Sequence, residues 1–201
     1  MPRVLGLTGN IACGKTSVGQ MLLELGAERY IDADATVHTL YEHGQPIAVK
    51  VAEAFGPSVI APDGSVNRKA LGTVVFQDVE AMRRLEHIVH PAVGSALVKE
   101  LSLVSATGIV IIDAVKLLEG NAAALCQSKW IVVCPEEQEL ARLVARNGFS
   151  KQEAWARIRA QPSVADRLPL VDEVIDNGGS KQETRQQVVA AFERFCTRYP
   201  A

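Results

Sequence analysis

The chain contains one glycine-rich segment that strongly limits how it can fold. Residues 9 to 16 read G-N-I-A-C-G-K-T and match the pattern G-x-x-x-x-G-K-[ST] at every specified position. An apolar run, Val4-Leu5-Gly6-Leu7, comes just before it, and from Lys15 onward the apolar residues recur at the spacing of an amphipathic helix. This motif requires a strand that leads through a turn into a helix. The segment therefore predicts a loop that cradles phosphate groups.

The residue types in this loop each have a physical reason. Gly9 and Gly14 permit backbone angles that turn successive amide groups toward an anion, and the helix that starts near Lys15 adds the positive end of its dipole. Lys15 can reach the outer phosphates of a nucleotide, and the Thr16 hydroxyl can bind Mg²⁺. We interpret Cys13 as a small residue whose amide matters. The alternative is a thiol whose oxidation or alkylation blocks ATP binding.

Later segments repeat the alternation of strand and helix. The run Ile109–Ile112 is apolar throughout, Trp130–Cys134 is similar, and Val174-Ile175 is a shorter third example. Two capping boxes, beginning at Ser150 and Ser180, mark the starts of helices. This order predicts an α/β fold with a parallel sheet covered by helices on both faces.

The middle of the chain has a different character, because few strand-like runs occur between Asp34 and Ser105. Residues 46–55 and 78–105 look helical, and Pro91 is expected to break or kink the second of these helices. An arginine-rich polar stretch, 142–167, suits a mobile lid. We expect a P-loop nucleotide-binding core (1–33 and 106–201, including the lid at about 142–167) and a mostly helical insertion beside the sheet (34–105).

Composition excludes several classes of protein. The chain has 201 residues, 48% of them hydrophobic and 22% charged, which argues against disorder. A net charge of −2 argues against a broad nucleic-acid surface. Its four cysteines lie far apart without ligand spacing, as expected for reduced thiols. No signal peptide or membrane-spanning run is visible, so we expect a cytoplasmic monomer without nucleic-acid or membrane partners.

Carboxylates follow two of the strand-like runs. Asp113 ends the run Ile109–Ile112, where an acid beside a phosphate loop can hold hydrated Mg²⁺; the alternative is a residue that caps the next turn. Asp32 and Asp34 follow a second short run. If both lie on a strand they face the same way, so one can accept a proton while the other supports Mg²⁺; the alternative is a pair that caps the next helix.

Two arginines of the stretch 142–167 are four residues apart. Arg142 and Arg146 therefore share one face of a helix. Such a face can bring positive charge to a transferring phosphate, or it can simply be a solvated surface.

Taken together, these motifs resemble the dephospho-CoA kinase family in order and spacing over nearly the whole chain. Residues 6–17 resemble that family's G-L-T-G-G-I-G-S-G-K-S-T, and Asp32-Ala33-Asp34 resembles its D-A-D. Further landmarks follow in the family's order: Phe55-Gly56, Asp63-Gly64, Arg68, Val75-Phe76, Leu85-Glu86, His90-Pro91, Arg142, Arg146, Gln161 and Val174–Gly178.

The resemblance implies an activity and a three-part build. The activity is transfer of the ATP γ-phosphoryl group to the ribose 3′-hydroxyl of dephospho-CoA, the last step of coenzyme A synthesis, with Mg²⁺ as the second cofactor. The build is a P-loop kinase core with a five-stranded parallel sheet, a helical acceptor domain and a lid.

The same resemblance assigns roles to individual residues. Asp34 becomes the general base for the 3′-hydroxyl, Arg142 a lid arginine near the phosphates, and Asn177-Gly178 a neighbour of adenine. The catalytic residues are Lys15, Asp34 and Arg142. The nucleotide side comprises Gly9, Ala12, Cys13, Gly14, Lys15, Thr16, Ser17, Arg142, Asn177 and Gly178. The acceptor side comprises Thr8, Asp34, Arg68, His90, Pro91 and Lys116, and the metal ligands are Thr16 and Asp113.

The chain departs from the family's pattern in two places. Asn10 and Ala12 replace glycines of the loop, which makes its backbone less permissive. Val115 and Lys116 replace Pro and Leu in the family's D-[IV]-P-L-L-F-E, which bears on acceptor contacts; Lys116 either meets a phosphate of the acceptor or is an exposed lysine.

Two alternatives remain open at this point. One is another P-loop small-molecule kinase, of the nucleoside monophosphate or shikimate type. The other is a nucleotide-dependent switch protein of the GTP-binding kind, although no asparagine of this chain is followed by the lysine of N-K-x-D.

Overall fold

The computed structural model describes all 201 residues and contains one five-stranded parallel sheet. The strands are β1 (Arg3–Gly9), β2 (Arg29–Asp32), β3 (Ile109–Asp113), β4 (Ser128–Val133) and β5 (Glu173–Asp176). Their spatial order is β2-β3-β1-β4-β5, and all four neighbouring pairs are parallel. The predicted α/β fold with a five-stranded parallel sheet is confirmed.

Nine α-helices accompany the sheet. They are α1 (Lys15–Glu24), α2 (Ala33–Leu40), α3 (Pro46–Phe55), α4 (Arg68–Val75), α5 (Val79–Leu101), α6 (Glu136–Asn147), α7 (Lys151–Arg159), α8 (Val164–Arg167) and α9 (Lys181–Arg198). The capping boxes predicted at Ser150 and Ser180 are both present, at the starts of α7 and α9. None of the helices is long and apolar enough to cross a membrane.

The register of the sheet brings the ends of three strands together. Leu7 of β1 and Asp32 of β2 both pair with Asp113 of β3. Because the strands are parallel, their carboxyl ends lie along one edge of the sheet. The loops that follow these strands therefore lie side by side along that edge. The phosphate loop, which follows β1, leaves from this edge.

The chain divides into two compact units. One comprises Met1–Asp32 and Leu101–Ala201, and it contains the sheet. Its main hydrophobic cluster joins apolar residues of β1, β3, β4 and β5 with one face of α1 and of α9. The other unit is the continuous segment Ala33–Glu100. It is mostly helical and has a cluster of its own: Tyr41, Ile47, Ala48, Val51, Val59, Val66, Leu71, Val75, Ala81 and Val89.

Two expectations about local structure are wrong. Asp34 does not continue a strand with Asp32, because β2 ends at Asp32 and α2 begins at Ala33, which places Asp34 in the first helical turn. The argument that both carboxylates face the same way as strand neighbours therefore does not apply. Of the break or kink expected at Pro91, the break is also absent, since α5 runs through this residue for 23 residues. A kink there stays a prediction. Buried Val89 and half-buried Ala92 and Val93 pack into one cluster on both sides of it.

Candidate active site

The loop after β1 has the backbone conformation of an anion cradle. Gly9 and Gly14 have φ angles of 148° and 104°, and Ala12, with φ of 62°, is the one residue other than glycine with positive φ. Neighbouring atoms also leave no room for a side chain at either glycine. A Cβ atom on Gly9 would lie 2.4 Å from the Val132 carbonyl oxygen, and one on Gly14 would lie 2.0 Å from Asn177 Nδ2. The loop therefore accepts only glycine at these two positions.

The helix that follows leaves its first amide groups available. Gly14 is the N-cap of α1, no side chain caps this helix, and its first turn contains no acidic residue. By contrast, complete capping boxes satisfy the corresponding groups of α7 and α9. Since the first amides of a helix need acceptors, an uncapped start beside a curled loop is suited to bind phosphate. Lys15, the first residue of α1, donates from Nζ to the Gly9 carbonyl oxygen at 3.1 Å.

Arg142 of α6 holds the outer side of this loop. Its Nη1 donates to the carbonyl oxygens of Ala12 and Cys13, each at 3.1 Å. Its Nη2 donates to the Asn177 carbonyl oxygen at 3.1 Å and to Gln138 Oε1 at 3.0 Å. When carbonyls in a loop are drawn outward in this way, the amides between them turn inward. The guanidinium thus supports the loop backbone and places a positive charge behind it.

Arg146 does not share this position. Its side chain is exposed and donates from Nε to Asn147 Oδ1. Of the two arginines predicted to share a helical face, only Arg142 contacts the loop.

Asn177 and Gly178 lie against the same loop. Asn177 Nδ2 donates to the Cys13 carbonyl oxygen at 2.8 Å, while its Oδ1 accepts from the Thr184 hydroxyl at 3.1 Å. The Gly178 carbonyl oxygen accepts from Gln138 Nε2 at 2.7 Å. The turn after β5 is therefore tied to both the phosphate loop and α6. Its predicted contact with adenine stays a prediction.

The segment between α7 and α8 contacts the first half of the loop. The Ile11 amide donates to Gln161 Oε1 at 2.7 Å. Arg167, whose side chain is almost fully buried, donates to Asn10 Oδ1 and to the Val115 carbonyl oxygen, and its Nε has no acceptor. Sequence reasoning missed Arg167, because nothing in the arginine-rich stretch distinguishes it from its exposed neighbours. Asn10, a departure from the family's glycine, is the partner of this buried cation.

Glu139 is a second residue that sequence reasoning missed. It lies one turn before Arg142 on α6, it is 2% exposed, and its Oε2 atom accepts no hydrogen bond. Burial raises its pKa to about 7, with a further contribution from Glu136, while Lys15, Arg142 and Arg167 partly offset the rise. A carboxyl group that titrates near neutrality thus lies among the cations around the loop.

One of the proposed metal ligands is held by a neighbouring side chain. Asp113, at the carboxyl end of β3, is 5% exposed, and its Oδ2 accepts a hydrogen bond from the Tyr30 hydroxyl. Thr16, in the first turn of α1, lies near enough to the same phenol to influence its pKa. Burial and the Asp113 charge raise the pKa of Tyr30 well above its usual value, so the phenol stays protonated and remains a donor.

These residues fit Mg²⁺ bound together with a nucleotide. The protein has no group of three or more His, Cys, Asp or Glu that could hold a metal ion alone. Mg²⁺ commonly takes one or two protein oxygens and completes its shell with phosphates and water. The Thr16 hydroxyl and the Asp113 carboxylate, both near the Tyr30 phenol at the edge of the sheet, meet this requirement.

Cys13 is buried completely within the main hydrophobic cluster. Burial raises its pKa to about 11, which keeps the thiol protonated and poorly nucleophilic. This favours the interpretation of Cys13 as a packing residue over that of a reactive thiol.

The other predicted residues of the sheet-containing unit have varied surroundings. Thr8 is fully buried, and its hydroxyl donates to the Val115 carbonyl oxygen at 3.0 Å. Ser17 is exposed in the first turn of α1, and Lys116 is exposed just after β3. Thr8 and Val115 thus connect the ends of two adjacent strands.

Four predicted acceptor-side residues belong to the helical unit. Asp34 is exposed in the first turn of α2. Arg68 is exposed at the start of α4, where its charge partly offsets the burial that raises the pKa of Tyr41. His90 is half-buried and Pro91 exposed within α5. Their roles toward an acceptor stay predictions.

Comparison with known proteins gives a consistent result. The family model described as "Dephospho-CoA kinase" matches residues 3–183. A dephospho-CoA kinase of Symbiobacterium thermophilum is 43% identical over 196 residues, covering 96% of this chain and 82% of that protein. A dephospho-CoA kinase of Carboxydothermus hydrogenoformans is 39% identical, covering 96% of this chain and 94% of that one. The crystal structure of TT1252 from Thermus thermophilus superposes with a TM-score of 0.84 at 29% identity, covering 96% and 97% of the two chains.

Proposed function

The chain belongs to the dephospho-CoA kinase family and is an ATP-dependent kinase, and on this premise we propose that it phosphorylates the ribose 3′-hydroxyl of dephospho-CoA. In this reaction a bond forms between the 3′-oxygen and the γ-phosphorus of ATP, and the bond to the β,γ-bridging oxygen breaks. The products are ADP and coenzyme A. One observation carries the proposal: the left-handed residues of the loop and the uncapped α1 form a phosphate cradle beside the carboxylate that ends β3.

The phosphate side of the mechanism uses the loop and the cations around it. Amides of the loop and of α1 bind the β- and γ-phosphates, and Lys15 leaves the Gly9 carbonyl to meet the transferring group. Arg142 keeps the loop amides directed inward, and buried Arg167 adds a second positive charge. Thr16 and Asp113 would hold Mg²⁺, which when bound neutralises charge on the transferring phosphate.

The acceptor side depends on Asp34 as general base. Its carboxylate takes the proton of the 3′-hydroxyl as the bond to phosphorus forms. Arg68, His90, Pro91 and Lys116 are proposed to bind the acceptor, and Asn177-Gly178 to lie near adenine. The helices α6, α7 and α8 would act as the lid that excludes water, which would otherwise compete as an acceptor.

We propose that the enzyme works in the cytoplasm as a monomer. All four cysteines are free thiols, which suits a reducing compartment. Light scattering at working concentration tests the oligomeric state, and a stable dimer mass would contradict it.

Incubation with Mg-ATP and dephospho-CoA tests the proposed reaction. We expect one ADP per acceptor consumed and a new phosphorus resonance coupled to the ribose 3′-position, read by NMR. A parallel panel of shikimate and nucleoside monophosphates should release little ADP, and GTP should compete weakly with ATP. Phosphate on another alcohol of the panel, at a higher rate, would overturn the acceptor assignment.

Lys15→Ala provides the catalytic control in this assay. Loss of the side chain proposed to meet the transferring phosphate should reduce turnover by about a thousandfold or more while the protein stays folded. Lys181→Ala is the matched variant, because Lys181, like Lys15, is the first residue of a helix, but it is exposed and its helix begins with a capping box. Equal turnover in the two variants would contradict the role of the loop.

A further inference from the structure

Tyr30 is placed by the sheet beneath the start of α1. It pairs in register with Ile111 of β3, and residues two apart on a strand point to the same face. The Tyr30 ring and the Asp113 carboxylate therefore lie on one face of the sheet. On the helix side, a Cβ atom at Gly19 would lie 2.2 Å from Tyr30 Cε2, so only glycine leaves room for the ring.

The same packing brings the phenol to Thr16. Thr16 and Gly19 are three residues apart on α1 and share a helical face, so a ring that packs on Gly19 extends its hydroxyl toward Thr16. The Thr16 hydroxyl is near enough to the phenol to influence its pKa, which agrees with this placement. One phenol thus donates to the acid that ends β3 and lies near a residue of the phosphate loop.

The direction of the hydrogen bond to Asp113 is fixed by the chemistry of the phenol. Tyr30 has a single proton, which it donates to Asp113 Oδ2. Because the ring is packed against Gly19, this donor is held in place and limits how the Asp113 carboxylate can rotate.

We propose that Tyr30 is a positioning residue for the metal site: it holds the Asp113 carboxylate in place for the Mg²⁺ that accompanies ATP. The inference rests on the proposed function, because it takes Asp113 as a metal ligand. Side chains that orient metal ligands through hydrogen bonds are commonly worth 10- to 100-fold, roughly, in metal affinity. Tyr30 does not touch the metal or the nucleotide in this scheme.

Tyr30→Phe is the informative variant, since it keeps the ring on Gly19 and removes only the hydroxyl. We expect the Mn²⁺ affinity of the complex with a non-hydrolysable ATP analogue, measured by electron paramagnetic resonance, to fall by about 10- to 100-fold. Nucleotide affinity in EDTA should stay within about twofold of wild type, because the loop amides and Lys15 are intact. Turnover should recover when Mg²⁺ is raised to saturation.

Tyr199→Phe is the control for loss of a phenol elsewhere. Tyr199 donates to the Gln127 carbonyl oxygen at 2.7 Å and lies at the end of α9. This variant should leave Mn²⁺ affinity unchanged.

The outcomes separate this inference from the proposed function. If wild-type protein binds the analogue equally with and without metal, the metal site of the proposed function fails. If wild type is metal-dependent and Tyr30→Phe shows the same Mn²⁺ affinity, the positioning role is overturned. A third outcome would also overturn the positioning role: Tyr30→Phe lowers thermal stability and lowers nucleotide affinity in EDTA, while the dependence on metal stays the same as in wild type. Tyr30 would then be a packing residue alone.

Discussion

At the scale of single residues, Asp34, the proposed general base, is the residue whose local structure differs most from the one expected from the sequence. Asp34 lies in the first turn of α2, not on a strand beside Asp32. The two carboxylates therefore differ in backbone setting, and their roles can be separated by substitution.

Asp34→Asn should lower the chemical step by about 10²- to 10⁴-fold, the usual contribution of a general base, with ATP affinity unchanged. Single-turnover kinetics and a fluorescent nucleotide titration measure the two quantities. Asp32→Asn is the comparison, because it removes the other carboxylate of the D-A-D segment. Similar losses of rate in both variants, or parallel losses of rate and ATP affinity for Asp34→Asn, would argue against Asp34 as the base.

Glu139 gives the enzyme a titration near neutral pH. Its pKa is about 7 in the folded protein because the carboxyl group is buried, whereas the ordinary value is 4.5. The unfolded chain therefore ionises this group at lower pH than the folded protein does. Folding stability falls as pH rises from about 4.5 to 7, and the full loss remains above that range.

Glu139→Gln should abolish this pH dependence. We expect the variant to be more stable than wild type by about 3 kcal/mol at pH 8 and by less than about 1 kcal/mol at pH 5, since the pKa rises from 4.5 to about 7 and one pKa unit corresponds to about 1.4 kcal/mol. Urea unfolding at the two pH values measures the difference. Glu137→Gln, an exposed position of the same helix, is the control. A gain at pH 5 as large as that at pH 8 would contradict the titration of Glu139.

The residues that sequence reasoning missed share one property. Tyr30 meets Asp113 across 83 positions of the chain, and Arg167 meets Asn10 across 157. Gly9, Gly14, Lys15 and Thr16 could be found because the chemistry of the loop lies within eight consecutive residues. The contacts of Tyr30, Arg167 and Glu139 depend on tertiary packing. They cannot be predicted from the spacing of residues close together in the sequence.

At the scale of elements, the helix starts divide into two kinds. Those of α7 and α9 are closed by a serine and a glutamate, whereas that of α1 has no cap. Capping boxes depend on residues three apart, so both could be predicted from the sequence. The sequence suggested a break at Pro91 because a proline destabilises a helix through its neighbours along the chain. The packing of Val89, Ala92 and Val93 that offsets this cost involves residues distant in sequence, so the sequence around Pro91 does not reveal it.

Ser180→Ala should destabilise the protein by about 1 kcal/mol, because the Glu183 amide loses its acceptor at the start of α9. The C-terminal helix packs on the main hydrophobic cluster, so the loss should appear in global urea unfolding followed by circular dichroism. Thr197→Ala removes another hydroxyl of α9, one that donates to the carbonyl four residues earlier, and should change stability by less than about 0.5 kcal/mol. Equal effects of the two would contradict a specific role for the cap.

At the scale of the whole molecule, the two units differ in how much of their structure could be predicted from the sequence. The sheet of the first unit could be predicted because buried parallel strands are continuous apolar runs. The helical character of the second could be predicted too, but its own cluster of ten buried residues could not, because these residues come from three helices (α3, α4 and α5) and from the segments before and between them. Periodicity identifies which face of a helix is buried but not the partner that covers it.

The helical unit is one uninterrupted stretch of chain, and the strands that flank it, β2 and β3, are hydrogen-bonded neighbours in the sheet. A gene segment encoding residues 33–100 can therefore be exchanged for another of similar end-to-end span without altering the pairing of any strand. Such an exchange would also replace Asp34, the proposed general base, which is the second residue of the segment. An inserted segment that keeps the same chemistry would therefore have to supply its own carboxylate close to the first junction.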